Sequence, residues 1–294
     1  MIVVTAPTGN IGHQILSDLL KAGAPTRVIV RDAAKLPEAV RNRVEVIEGS
    51  HGDANILERA LAGADALFWL VPPNPKARTV DEAYVEFTRP AADALRRRDI
   101  RRVVDISALG RGTPWANKAG LVTSSLRMDD LIASTGVAFR AITNPSFMDN
   151  IARQAVPIRE RGLFLGPLNG DKKLPVAATR DIAATAARLL LDKSWTGTGH
   201  VAVLGPEDLS FNDMAAIMSD VLGKPIRYQQ ISFETYKAGF VERGMSDAMA
   251  QGMTDMARAK NEGLDNAEPR TRENTTPTSF RQWCAEILKA AVLG

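Results

Sequence analysis

The chain has 294 residues, enough to bury a full core as one large domain or as a main domain with a smaller appendage. Its 37 Lys and Arg stand against 34 Asp and Glu, a net charge of +3 with the signs interspersed, which argues against a basic stripe for nucleic acid. A single cysteine, Cys284, excludes an internal disulfide, and the three scattered histidines, His13, His51 and His200, give a zinc cluster or a His-based triad little to build on, so no metal is expected.

The first half alternates strand and helix signals. Short runs rich in β-branched residues at 2–5, 27–30, 44–47, 66–71, 102–106 and 138–143 predict strands. Between them lie helical periods, among them 11–22 with Ile11, Ile15, Leu19 and Leu20 on one face, then 80–98, and 125–135 closed by Gly136. Such repetition requires crossover connections, so the expected fold class is α/β, a Rossmann-like doubly wound parallel sheet covered on both faces. The basic run Arg96, Arg97, Arg98, Arg101 and Arg102 ends a helix, where cations complement its dipole on a solvated face. After Asn150 the pattern loosens. A helix is expected over 178–192 and a returning strand over 201–204. Ser210 caps a further helix that Gly223 closes, and a methionine-rich helical tail (Met245, Met249, Met253, Met256) reads as core packing. No apolar run is long enough to span a bilayer, and the chain opens on a strand rather than a signal core, so a cytoplasmic protein is expected.

Residues 5–12 read TAPTGNIG, with small residues at Ala6, Gly9 and Gly12, after the first strand and at the opening of the first helix. In that context the spacing predicts a dinucleotide site. The first small residue permits the tight turn, Gly9 lets backbone approach a diphosphate, and Gly12 lets the helix pack on the sheet. The diphosphate then rests on N–H groups at the helix N-terminus. Ala6 in place of the usual glycine, and Pro7 without an N–H, predict a slightly altered loop. The second strand ends VIVRDAAK. Arg31, with Lys35 nearby, suits the 2′-phosphate of NADP, because a guanidinium pairs with phosphate in a two-pronged, charge-assisted way. Asp32 suits the ribose diol of NAD if the strand ends one residue later. NADP(H) is the expected cofactor, with NAD(H) the open alternative.

Together TAPTGNIG, VIVRD, LAGADALFWLVPP, NPSFMDN, TRDIAATAARLLLD and NTTPTSFRQWCAEIL resemble the NmrA-like branch of the atypical short-chain dehydrogenases, from the first strand to the last helix. That group includes NAD(P)H-dependent quinone, azo-dye and triphenylmethane reductases together with redox-sensing regulators. The resemblance implies a Rossmann-like domain over 1–150, to which 176–204 returns, and a smaller, mostly helical domain of 151–175 and 205–294 that forms a cleft over the nicotinamide. It implies contacts of Thr8, Gly9, Asn10 and Ile11 with the diphosphate and of Arg31 with the adenosine phosphate. Leu70, Val71, Pro72 and Pro73 would line the cofactor, with Ser107 beneath its nicotinamide end and Asn144, Pro145, Ser146 and Phe147 beside the ring and the substrate. Two residues depart from the family: Ser50 stands where an acidic residue is usual near the adenine, and Asn144 where Arg commonly precedes the proline. His51 follows the third strand, within reach of an adenine but remote for a catalytic base.

Typical short-chain dehydrogenases place a Tyr four residues before a Lys on one helical face to move a proton at the carbonyl. Here only Tyr84, Tyr228 and Tyr236 exist, none precedes a Lys by four, and the helix that should carry the pair, LVTSSLRMDDLIASTG, has no tyrosine. Hydride transfer to a strongly electrophilic centre then rests chiefly on proximity and orientation, with Ser107 and Asn144 as catalytic candidates. Trp115, Phe147, Met148 and Asn150 are candidate substrate-lining residues. Trp115, in the Gly- and Pro-broken LGRGTPWANKAG, reads equally well as the anchor of a surface loop, and Asn150 as a brace for its turn. Cys284 reads as buried packing in an amphipathic helix. The expected function is NAD(P)H-dependent oxidation–reduction of a quinone or another aromatic small molecule by a monomer or homodimer without nucleic-acid or membrane partners. A non-catalytic NAD(P) sensor and a tailoring enzyme for aromatic compounds, including oxidative steps, are the alternatives.

Overall fold

Seven short runs pair in parallel as the main sheet of the computed structural model, which describes residues 1–294. In chain order the strands are β1 (Ile2–Thr5), β2 (Thr26–Val30), β3 (Glu45–Glu48), β4 (Ala66–Trp69), β5 (Arg102–Ala108), β6 (Ala138–Asn144), β7 (Ser146–Phe147), β8 (Leu163–Gly166), β9 (Leu174–Ala177), β10 (Thr198–Ala202), β11 (Asp208–Leu209) and β12 (Arg227–Gln230). The main sheet runs β10-β6-β5-β4-β1-β2-β3, so the strand order reverses between β1 and β4. In such sheets the crevice outside the strand ends at that reversal receives ligands. The Thr5 hydroxyl ties the two strands there, donating to the Phe68 carbonyl at 3.1 Å and accepting from the Leu70 N–H at 2.8 Å.

The helices are α1 (Gly12–Lys21), α2 (Glu38–Arg41), α3 (Ala54–Leu61), α4 (Phe87–Arg97), α5 (Leu121–Ala133), α6 (Ala155–Arg161), α7 (Thr179–Leu191), α8 (Phe211–Leu222), α9 (Phe233–Glu242) and α10 (Asp247–Asn261), with a final helical run from Phe280 to Leu293. Side chains alternate between sheet faces. Val4, Val28, Val104 and Ile142 meet α1 and α7 on one side, and Val3, Ile29, Leu67, Val103 and Phe139 meet α3, α4 and α5 on the other. A third core, built on Met148, Ile158, Phe164, Met214, Met218, Phe280 and Trp283, belongs to the later part of the chain.

Several boundaries differ from the sequence expectation. The returning strand spans Thr198–Ala202 rather than 201–204; Leu204 has already turned away to a lone bridge with Thr275. Gly199 and His200 carry little strand propensity, and parallel pairing with five residues of β6 overrides it. Helix α5 begins at Leu121, four residues before its expected start, and α4 is preceded by a π-turn at Glu82–Glu86. The later part of the chain also holds two small sheets, β11-β9-β7 and β12-β8, which the sequence did not suggest. No helix is long and apolar enough to cross a membrane.

Candidate functional site

The turn after β1 is built as a cradle. Gly9 donates its N–H to the Ala6 carbonyl at 3.1 Å, and His13 donates back to Gly9 at 3.0 Å. No group of the chain accepts from the N–H of Thr8, Asn10, Ile11 or Gly12, and no side chain caps α1. Thr8, Gly9 and Asn10 are exposed. Four free donors at a helix N-terminus are what a diphosphate requires. A Cβ on Gly12 would lie 2.1 Å from the Ala6 carbonyl oxygen, so only glycine lets the helix start this close to the turn.

At the end of β2, Asp32 and Arg31 separate in role. The Asp32 carboxylate accepts from the Ala34 N–H at 3.0 Å and caps the short 3₁₀ turn Ala33–Lys35. Arg31 is exposed and forms no hydrogen bond or ion pair, and Lys35 is likewise exposed. Beneath them, His51 is buried edge-on between Trp69, at 5.2 Å, and Phe87, at 4.9 Å between ring centroids. Burial, with Arg31 adding to it and the Leu70 carbonyl opposing, lowers its pKa to about 4. His51 therefore stands as neutral floor packing below the dinucleotide crevice, and an exposed ring stacked on adenine is not its state. Leu70 and Pro72 follow β4 with Leu70 half-buried and Pro72 exposed, while Val71 turns into the core.

The end of β5 brings Ser107 together with groups that no sequence motif singles out. Ser107 donates its hydroxyl to Asp129 Oδ2 of α5 at 2.5 Å. Asp105, two residues before it and pointing to the same face of the sheet, is fully buried, and neither carboxyl oxygen receives a hydrogen bond from a nitrogen or hydroxyl of the chain. Its neighbour is Asp129, which is 3% exposed. Burial, and then the Asp129 charge, push Asp105 well above the usual carboxylate range. Burial also raises Asp129, to about 6, against the pull of Ser107, Asp105 and Arg111. Two carboxyls packed together in a dry site keep a proton between them. Arg111 reaches in from the loop after β5, 3.5 Å from Asp129 Oδ2, and also holds Asp130 at 2.8 Å.

The candidates around 144–150 divide. Asn144 is 2% exposed and its amide donates to the carbonyls of Ser107, at 3.1 Å, and Ile142, at 2.7 Å. That corrects its standing as a catalytic candidate: it braces the ends of β5 and β6. Pro145 is buried; Ser146 and Phe147 are half-buried as β7, which pairs with β9. Met148, expected to line a substrate, is instead 1% exposed and packed inside the third core. Asn150 is exposed and makes no side-chain hydrogen bond. Trp115 is half-buried against a cluster of Ala119, Val122, Leu126 and Leu264, with the Lys118 ammonium 5.3 Å above its ring. Cys284 is buried in the third core, its pKa pushed up to about 12 by burial, and is inert.

Comparison with known proteins agrees with this geometry. The family model described as NAD(P)H-binding matches residues 7–193, and that described as the NmrA-like family matches residues 129–283. The chain is 30% identical to the (4-alkanoyl-5-oxo-2,5-dihydrofuran-3-yl)methyl phosphate reductase of Streptomyces griseus subsp. griseus, over 99% of each chain. It is 29% identical to the NAD(P)H azoreductase of Xenophilus azovorans, over 87% of this chain and 86% of that one. Among solved structures, an NADPH-dependent quinone oxidoreductase of Escherichia coli complexed with NADPH shares the fold with a TM-score of 0.78, at 23% identity over 99% of each chain.

Proposed function

The chain belongs to the NmrA-like family of NAD(P)H-binding proteins and is an NAD(P)H-dependent oxidoreductase, and from that premise we propose that it uses NADPH to reduce a small quinone-like or otherwise conjugated electrophile. The observation that carries this reading is the row of free N–H groups at Thr8, Asn10, Ile11 and Gly12 beside an unpaired Arg31. The backbone donors suit a diphosphate, and Arg31 suits the extra phosphate that distinguishes NADP from NAD. Asp32, which would have favoured the ribose diol, is committed to its own turn. When bound, the dinucleotide supplies a hydride.

The relatives' names support this acceptor class. One is named for an oxo-dihydrofuran carrying an alkanoyl group and another for azo compounds, and the structural neighbour is a quinone oxidoreductase. All are π systems that take a hydride at an electron-poor atom. No Tyr–Lys pair at four-residue spacing is present, so this chain's contribution is to orient the two reactants and to supply one proton.

Calorimetric titration with NADPH and NADH tests the reading. Arg31→Ala is expected to weaken NADPH roughly 10- to 100-fold, the worth of a charge-assisted hydrogen bond, and to leave NADH within about two-fold. Equal losses for both would show that Arg31 does not read the phosphate. Absence of heat with either coenzyme would remove the reading altogether.

A further inference from the structure

We propose that Asp105 and Asp129 hold one shared proton for the reaction, and that Ser107 passes it to the substrate atom left electron-rich by the hydride. The proposal rests on the reductase reading above and names its proton source.

The geometry allows two placements of that proton. With the proton on Asp105, Asp129 is a carboxylate that accepts from Ser107, the arrangement seen at 2.5 Å. With the proton on Asp129, that carboxyl donates to Ser107 instead, and the serine hydrogen is released toward a second acceptor. Ser107 is the last residue but one of β5, at the strand ends where the crevice opens. Asp129 also lines a cavity of about 330 Å³, together with Arg111, Asp130, Thr143, His200 and Glu268. The charged and titratable groups that face the pair or this cavity are therefore Arg111, Asp130, His200 and Glu268, the last two 3.8 Å apart. Because Asp129 lines the cavity, a solvent proton can reach the pair from there.

The step balances as follows for a quinone carbonyl. Hydride addition breaks the π bonding of the acceptor and leaves an electron pair on its oxygen. That oxygen takes the Ser107 hydroxyl proton as the serine O–H bond breaks. The Ser107 oxygen takes the carboxyl proton from Asp129, to which the shared proton has moved from Asp105. The pair is left with two negative charges, and one solvent proton entering from the cavity restores it. The acceptor has gained a hydride and a proton, and the chain is unchanged.

Asp129→Asn keeps the shape and an acceptor for Ser107 but stores no proton. The full chain is assayed with NADPH and with menadione, 1,4-benzoquinone and methyl red as probe acceptors, the fastest carrying the comparison. Asp129→Asn is expected to lower kcat about 100-fold, the scale of general-acid help, while KM and the calorimetric affinity for NADPH stay within about two-fold. In the native protein the rate should fall as pH rises and the pair ionises; Asp129→Asn should lose that limb, and Asp105→Asn, which leaves Asp129 without the neighbouring carboxyl, should move it to lower pH. An infrared titration gives a readout independent of turnover: a buried protonated carboxyl band at pH 7 in the native chain, missing from Asp105→Asn. Native kcat and pH profile in Asp129→Asn, or no such band in the native chain, overturns the proposal. A native chain that binds no NADPH, or binds it and reduces none of the probes, fails at the earlier step, and that result overturns the reductase reading and this proposal together.

Discussion

Ala6 is the one non-glycine residue held at positive φ, at 48°. Its position is forced, since its carbonyl accepts from Gly9 and faces the Gly12 Cα across a gap too small for a methyl group. A Cβ in the left-handed region costs about 1–2 kcal/mol, and a glycine there costs about 0.5–1 kcal/mol in chain entropy, so the strain wins. Ala6→Gly is therefore expected to stabilise the protein by roughly 0.5 kcal/mol, read as a higher urea midpoint at unchanged slope. A lower midpoint would show that packing of the Ala6 methyl outweighs its strain. Residues of this kind were legible in the sequence because turn chemistry is local: the Gly12 requirement and the altered loop at Ala6 follow from TAPTGNIG alone. Asp105 was half legible, as an acid inside the apolar run RVVDIS, a placement that signals either a partner or a held proton. Its partner lies 24 residues on along the chain, in another element, and only the fold brings α5 over β5 to make the pair.

Elements were legible where their period is strong and misplaced where tertiary contact decides. The start of α5 shows why. Gly120 has φ 53°, and a Cβ there would come within 2.0 Å of the Gly252 carbonyl oxygen, so α10 crosses the first turn of α5 backbone to backbone. Nothing near residue 120 announces a helix start, because no side chain caps it; the partner is a glycine 132 positions later. The crossing also closes off the opening turn of this helix. Val80 and Leu121 pack directly against Gly252, and Met249, Met253 and Met256 of α10 fill the space around them, as the methionine spacing had suggested. Gly120→Ala combines backbone strain with overpacking against a peptide group that has no flexible end to move, and is expected to cost roughly 2–4 kcal/mol. Thermal unfolding followed by circular dichroism measures it. A shift of Tm smaller than that of an exposed Gly→Ala change, such as Gly136→Ala, would mean that the two helices slide apart at little cost.

At the scale of the whole molecule, the sheet cores and the third core are separate apolar clusters, joined through the strand pairs of β7, β9 and β11 and by polar pins beside them. The pin with the most bonds sits at the first turn of α7. Asp181 is 8% exposed; its two carboxyl oxygens accept from the Thr278 hydroxyl at 2.8 Å and the Thr278 N–H at 3.0 Å. Arg180 donates to the same Thr278 hydroxyl at 2.9 Å and pairs with Glu286 in the final helical run. Since α7 also packs on α1, which opens on the dinucleotide cradle, this contact ties the floor of the site to the later part of the chain. The sequence held the residues of this pin, TRD and TPTS, but 97 positions separate Asp181 from Thr278, and no local pattern predicts the pairing. Removing the carboxylate leaves a buried N–H without an acceptor and breaks two bonds to a charged group, a loss of roughly 2–4 kcal/mol. Asp181→Ala is accordingly expected to lower stability by that amount and to turn a single calorimetric transition into two, with NADPH raising only the transition of the part that carries the cradle. A single transition, lowered but undivided and still raised by NADPH throughout its height, would instead assign the coupling to the apolar contacts and strand pairing around β7 and β9.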